Sequence, residues 1–298
     1  MTKRSKILLV GGCGYIGSYL YSMLMKEGAE IDVCDTQVRG NPLNISIIDN
    51  DYSNLSKSDL QAFDVILWFA GHSSVTQSIK DPLAALQNNC LRLFDFVHRL
   101  PSETKFIYAS SASLYSSDES CPEVSREESL VKIPINNPYD ISKFAFDYLL
   151  QNFPPKCKYY GLRMGTLSGN SPNLRPELVF NAMSISASNK GVVNLQNGSA
   201  WRTLLFLEDL WVLVQSIILK DPMTGFINAG SRSATLADLA LEISATWGAS
   251  INDCGDSKTY SFRLNSEKMQ SICGVSLSSE TIGEKSKTFI QSLTRELT

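Results

Sequence analysis

The 298-residue chain has two histidines, His72 and His98, and no pair of cysteines at CxxC spacing. That leaves no ligand set for zinc, so no metal is expected. Seven cysteines, an odd number without paired spacing, read as reduced thiols of a cytoplasmic protein. Charge of one sign is also missing. Lys and Arg number 27 against 30 Asp and Glu, a formal net charge of −3. Without a basic run there is no field to hold nucleic acid, and none is expected as a partner. No apolar stretch is long enough to span a bilayer. The closest, Leu210 to Leu219, is interrupted by Gln215 and Ser216, so no membrane role is expected. The basic opening Met-Thr-Lys-Arg-Ser-Lys leads directly into an apolar strand and is not read as a signal peptide. Internal repeats and low-complexity tracts are absent. The 43% hydrophobic content suffices for one large domain or two lobes.

What is present begins at Lys6. The apolar run Ile7-Leu8-Leu9-Val10 meets the glycine cluster Gly11, Gly12, Gly14 and Gly17. A helix-like pattern follows from Tyr15 and Ile16. A strand, a tight turn and a helix start suit a pyrophosphate: glycine allows close backbone approach, and the helix N-terminus offers free N–H groups. Both GxGxxG (Gly12, Gly14, Gly17) and GxxGxxG (Gly11, Gly14, Gly17) are satisfied. Cys13 reads as a small filler within the turn. The next strand, Ile31 to Cys34, ends in Asp35, about twenty residues past the glycines. A carboxylate there accepts hydrogen bonds from ribose hydroxyls and repels a 2′-phosphate. NAD is therefore favoured over NADP, with Arg39 nearby as the one feature suited to a 2′-phosphate.

Strand-like and helix-like segments alternate through the first half. Strands are expected at Ile45–Ile48, Asp64–Gly71, Phe106–Ala109 and Tyr159–Met164, and helices at Pro82–Arg99 and Tyr139–Leu150. This pattern predicts an α/β fold with a Rossmann-type, doubly wound parallel sheet. Ligands then sit at the carboxyl ends of the strands, which carry Gly11–Gly14, Asp35, Ala70–Ser74 and Ser110–Ser111. The second half is less regular. Helices are expected over Arg175–Lys190, Glu208–Lys220 and Thr235–Trp247, and strands at Val192–Leu195 and Thr203–Leu207.

Tyr139 and Lys143 stand four apart, on one face of a helix. A phenol of pKa about 10 is a poor base at neutral pH. A neighbouring ammonium favours the phenolate, and such a pair takes a proton from a hydroxyl as the same carbon is oxidised. Ser111, ending the preceding strand, is placed to hydrogen-bond that hydroxyl.

Together these segments resemble the extended short-chain dehydrogenase/reductases, specifically the NAD-dependent nucleotide-sugar epimerase and dehydratase group. The resemblance covers nearly the whole chain. It implies that Gly11, Gly14, Tyr15, Ile16 and Gly17 form the cofactor turn. Asp51-Tyr52 resembles the adenine-contacting segment, with Asp49 as a competing alignment. Phe69-Ala70-Gly71 and Ser73 resemble the loop beside the nicotinamide ribose, Ser73 reaching substrate. Asn89 resembles the group's structural asparagine. Ser111, Tyr139 and Lys143 are the implied catalytic residues, with Tyr139 and Lys143 also touching cofactor. Ser111, Ser113, Thr166, Arg202 and Arg263 are the implied sugar-nucleotide contacts, the two arginines meeting the diphosphate. The implied division is an NAD-binding domain over 1–165 and a smaller α/β substrate lobe over 166–298, with about 200–221 packing back on the first. Helices near Pro82–Arg99 and Pro138–Leu150 are implied to build a homodimer.

The chain departs from the group in places. Thr166 stands where an asparagine is usual, Trp68 replaces a common histidine, and Ser116 a common glycine. These changes bear on the sugar and the base. The 4,6-dehydratases carry an Asp-Glu pair directly after the catalytic threonine, where this chain has Ala112 and Ser113. Neither does acid–base work on a C5–C6 bond, so dehydration is not expected. Epimerisation at hexose C4 through a 4-keto sugar is the expected reaction. A nucleotide-sugar 4-dehydrogenase or 4-keto reductase is the alternative, and a non-catalytic NAD-binding regulator the reading of another class.

Overall fold

The computed structural model describes residues 5–73, 75–116, 122–128, 137–274 and 280–295. Ser74, one of the expected strand-end residues, and most of the basic opening lie outside them. The strands are β1 (Lys6–Val10), β2 (Glu30–Cys34), β3 (Ile47–Asp49), β4 (Val65–Trp68), β5 (Lys105–Ser111), β6 (Val124–Ser125), β7 (Lys158–Met164), β8 (Thr166–Ser168), β9 (Val192–Leu195), β10 (Trp201–Phe206), β11 (Gly225–Ala229), β12 (Arg232–Thr235), β13 (Ser250–Asp253) and β14 (Arg263–Leu264). The helices are α1 (Tyr15–Lys26), α2 (Lys57–Leu60), α3 (Val75–Lys80), α4 (Pro82–Leu86), α5 (Arg92–His98), α6 (Pro138–Asn152), α7 (Val179–Lys190), α8 (Leu207–Lys220), α9 (Leu236–Trp247), α10 (Glu267–Cys273) and α11 (Ile282–Arg295).

Seven strands form one sheet in the order β11-β7-β5-β4-β1-β2-β3. Every pair is parallel, as the alternation predicts for a Rossmann-type fold. Leu8 and Leu9 are both fully buried, as are Ile66 and Leu67. Successive strand residues point to opposite faces, so such runs are possible only when helices cover both sides. One face packs with α1, α8 and α10, through Leu20, Leu210, Val214 and Met269. The other packs with α5 and α6, through Leu93, Phe96, Val97 and Phe146. Each fully buried leucine contributes roughly 1.5–3 kcal/mol. A third cluster joins α7, α9, α11, β9 and β10 around Phe180, Leu204, Leu239 and Phe289.

Several boundaries differ from the sequence pattern for local reasons. The third strand starts at Ile47 rather than Ile45. The Asn41 side chain binds both the N–H and the C=O of Ile45 at 2.9 Å and takes them from the ladder. Pro82–Arg99 is helical without a break through His98, as expected, but a π-helical turn over Gln87–Leu91 lies between α4 and α5. The helix expected from Arg175 begins at Val179, because Pro176 disfavours helical backbone before it and Asn181 holds the Arg175 carbonyl at 3.0 Å. The chain also crosses back. Strand β11 completes the first sheet, although most of its neighbours in sequence belong to the smaller sheets. No helix among the described residues is long and apolar enough to cross a membrane.

Candidate active site

The glycine turn fits its place at the end of β1 by close contact. Gly11 has φ +89°, and a Cβ there would meet the Ala70 nitrogen at 2.5 Å. The loop after β4 therefore lies directly on the turn. A Cβ on Gly17 would meet the Gly11 carbonyl oxygen at 2.0 Å, so only glycine lets α1 pack this close. Gly14 is different: an added Cβ would meet only the Gly11 oxygen, at 3.4 Å. Nothing in the protein requires glycine there, whereas a ligand pressed on the turn would. Gly14 is also the N-cap of α1 and provides no side-chain cap, leaving first-turn N–H groups for an anion. Tyr15 is buried, and its hydroxyl donates to the Gly169 carbonyl at 2.8 Å. Ile16 is half-buried on the first turn.

Asp35 leaves the end of β2 toward the same turn. Its carboxylate accepts from the N–H of Cys13 at 2.9 Å and of Gln37 at 2.6 Å. Asp51 caps a short 3₁₀ turn by accepting from the Ser53 N–H. Asp49, the competing residue, accepts from the Asp51 N–H and from Asn54. The Tyr52 ring packs edge-on to Trp68, centroids 4.6 Å apart. Phe69 and Ala70 follow β4, and Gly71 takes φ +131° against the Asn89 side chain. Asn89, fully buried in the π-helical turn, accepts from the His72 N–H and donates to the His72 carbonyl and to Ser142. It thereby ties this loop to α6. Ser73 accepts from Arg39 at 3.4 Å.

Ser111 ends β5, and α6 carries Tyr139 and Lys143 beside it. Asn137 caps α6 through the Asp140 N–H, and Pro138 sits in its first turn, where a missing N–H costs nothing. The Lys143 ammonium donates to the Ala109 carbonyl at 2.8 Å and lies 6.0 Å from the centre of the Tyr139 ring. Burial pulls Lys143 down to about 8, with Asp147 pushing the other way. Burial raises the Tyr139 phenol, the Ser111 hydroxyl pulls it back, Asp140 raises it further, and Arg175 lowers it. The phenol thus stands above its ordinary value rather than below it, because desolvation outweighs the favourable neighbours.

Three residues here were not picked out as site residues from the sequence. The Ser111 and Ser113 hydroxyls are 2.8 Å apart, and Ser113 donates to buried Asp140 at 2.7 Å. Asp140 also accepts from Tyr260 at 2.9 Å and from Asn137. An acid in the first turn of a helix is ordinary, so Asp140 carried no signal of its own.

Strand β10 carries Arg202, 9% exposed. Its guanidinium donates to the Trp201 carbonyl at 3.0 Å and to the Thr259 hydroxyl at 2.6 Å. No carboxylate of the described residues pairs with it. Burial pulls it down to about 10, with only a small opposing effect from Tyr260. A buried cation without an acid is costly unless an anion completes the site. The Arg263 guanidinium stacks 4.3 Å above the Trp201 ring. Thr166 opens β8 opposite Leu204 of β10. Asn173, another residue not anticipated, donates to the Cys13 carbonyl at 2.7 Å and the Arg39 carbonyl at 3.0 Å, roofing the glycine turn.

Residues 7–230 match the model of the NAD dependent epimerase/dehydratase family, most of the chain. The chain belongs to that family. It is 28% identical over 187 residues to the UDP-glucose 4-epimerase of Mycoplasma pneumoniae, covering 56% of this chain and 54% of that one. It spans about half the length of the curated relatives it matches. Two solved structures share the fold over nearly the whole chain. An NAD-dependent NDP-hexosamine 5,6-dehydratase of tunicamycin biosynthesis aligns with TM-score 0.80, 19% identity and 98% of both chains. The Bacillus cereus UDP-glucuronic acid 4-epimerase, bound to UDP-glucuronic acid and NAD, aligns with TM-score 0.79 and 21% identity over 98% of this chain and 99% of that one. At such identities the likeness concerns fold. The family's dinucleotide fits this chain by its own geometry: an uncapped helix N-terminus, an open Gly14 and Asp35 at the neighbouring strand end.

Proposed function

We propose that the chain is an NAD-dependent nucleotide-sugar epimerase acting at hexose C4 through a 4-keto sugar. Gly11, Gly14 and Gly17 would hold the NAD diphosphate, Asp35 its adenosine ribose, and Lys143 the nicotinamide ribose. When bound, NAD supplies the acceptor and donor of the C4 hydrogen. Tyr139 takes the C4 hydroxyl proton, and Ser111 holds the same oxygen. Lys143 keeps its charge below about pH 8 and favours the phenolate. The keto sugar then presents its other face, and Tyr139 returns the proton. Arg202 holds the diphosphate during that turn, with Arg263 beside it.

The observation that carries this reading is the buried Arg202, without a carboxylate partner among the described residues, which Tyr260 links to Asp140 beside Tyr139 in the Ser111–Tyr139–Lys143 cluster. One group suits a diphosphate, and the other suits a secondary alcohol. The reading assigns cofactor binding to 1–165 and the sugar nucleotide to 166–298. A homodimer through α4 and α6 is part of it, supported by the exposed apolar side chains Leu83, Ile141 and Tyr148. The cytoplasmic placement rests on cysteine usage.

The test is chromatography with mass spectrometry on nucleotide sugars incubated with the protein and NAD, starting with UDP-glucose and UDP-glucuronic acid. A new isomer of unchanged mass is expected. Loss of two hydrogens with NADH formed would make the chain a dehydrogenase instead, and loss of water a dehydratase.

A further inference from the structure

Asp35 stands between two segments, the glycine turn after β1 and the loop after β2. Its two oxygens accept one N–H from each, Cys13 at 2.9 Å and Gln37 at 2.6 Å. An ionised carboxylate has about four lone-pair sites, so about two remain for the hydroxyls of a ribose. A third segment joins the same two from their carbonyl side. Asn173, from the stretch between β8 and α7, donates to the Cys13 carbonyl at 2.7 Å and to the Arg39 carbonyl at 3.0 Å. Both N–H groups of its carboxamide are thereby committed. The Asn173 backbone is anchored on α1: its N–H reaches the Ser18 hydroxyl at 3.3 Å, and nearby Ser171 donates to the Tyr15 carbonyl at 2.6 Å. The loop's own bond, from the Gly40 N–H to the Gln37 carbonyl at 2.8 Å, shapes it without joining it to β1. The Arg39 side chain adds a tether to Ser73 at 3.4 Å, longer and exposed.

We propose that Asn173 is a positioning residue that fastens the glycine turn to the loop after β2, so that Asp35 is held ready for the adenosine ribose and bound NAD is released slowly. The proposal rests on the reading above, in which the turn and Asp35 hold the adenosine half of NAD. Without the bridge, the loop must be ordered each time NAD binds, and that cost is subtracted from the affinity. Slow release suits a reaction that takes hydrogen from C4 and returns it to the same sugar. Cofactor lost between the two steps would leave the sugar oxidised.

The test is the release rate of NADH from the full chain, followed by its fluorescence when excess NAD is added, with no sugar present. Asn173→Ala is expected to release NADH about tenfold faster, with the association rate little changed. Asn173→Asp sets a carboxylate against two carbonyl oxygens and is expected to release it faster still. Ser171→Ala removes a bond between the same stretch and α1 but leaves the bridge, and release is expected to keep its native rate. Should Asn173→Ala not fold, Asn173→Ser also removes the carboxamide and carries the same expectation. Equilibrium titration places the effect within the ligand. AMP, the adenosine half, is expected to weaken in Asn173→Ala by the same factor, and nicotinamide mononucleotide, the other half, to keep its affinity. If NADH did not bind the native chain, the reading of the cofactor site would fail and the proposal with it. Three results would overturn the proposal alone: native release from Asn173→Ala, equal acceleration in Asn173→Ala and Ser171→Ala, or equal weakening of the two half-ligands.

Discussion

Two buried arginines, one in each half of the molecule, have opposite surroundings. Arg163 ends β7 at the carboxyl edge of the large sheet. Its Nε donates to Asp147 at 2.9 Å, and its Nη1 donates to both the Tyr115 hydroxyl and the Glu127 carbonyl. Burial works against its charge, but Asp147 and Tyr115 outweigh that and hold its pKa above the ordinary value. Arg202, in the smaller sheet, has the burial without the acid and is pulled down to about 10. The first is neutralised within the protein and belongs to the scaffold. The second has no such partner among the described residues, and in the reading proposed above it is left for the diphosphate. Burial alone does not separate a structural cation from a binding one; the partner does.

The largest expected effect breaks the scaffold side. Arg163→Ala leaves Asp147, which also accepts from Tyr108 and Ser110, as a buried carboxylate without its cation. It is expected to cost about 3–5 kcal/mol and to lower Tm by roughly 10 °C, read by calorimetry. Arg202→Gln should do the reverse. Binding of a nucleoside diphosphate sugar, followed by titration calorimetry, is expected to weaken about 100-fold. The Tm of the unliganded protein should hold or rise, since a costly buried charge is gone. If Arg202→Gln destabilised the fold as Arg163→Ala does, the distinction between the two would fail.

A smaller effect sharpens the same point at Lys143, a buried cation whose folded pKa of about 8 lies below its ordinary value. The penalty for burying its charge is fully present below pH 8. It fades as pH rises from there toward the unfolded value of about 10.4, because the unfolded chain then holds more protons than the native one. Lys143→Met is thus expected to raise Tm by a few degrees at pH 7, with the gain shrinking above pH 8, while activity falls about 100-fold. A Tm difference independent of pH across this range would contradict that origin.

How much of this was legible follows from where each signal lies. The glycine turn, Asp35 and the Tyr139–Lys143 spacing are local, and each short segment forms its own piece of the site. Strands β1, β4 and β5 were legible because both faces of the sheet are covered, which makes their apolar runs continuous. Strand β11 was not, because a five-residue run holding Gly225 and Asn228 has no periodicity to mark its return to the first sheet. The π-helical turn was hidden for a related reason: one extra residue within a helix barely disturbs the apolar spacing. Arg202 stood out by type and spacing, but its lack of an acid depends on three dimensions. Asp140 was missed because its partners Ser113 and Tyr260 lie 27 and 120 residues away.

The most direct test follows the hydrogen at C4. The nucleotide sugar that turns over would be prepared with deuterium at C4 and incubated with the protein and NAD in ordinary water. An epimer that keeps the deuterium at C4, formed with Tyr139 and lost in Tyr139→Phe, is the predicted result. Deuterium appearing instead in free NADH, or replaced by solvent hydrogen in the product, would contradict an oxidation and return at one carbon.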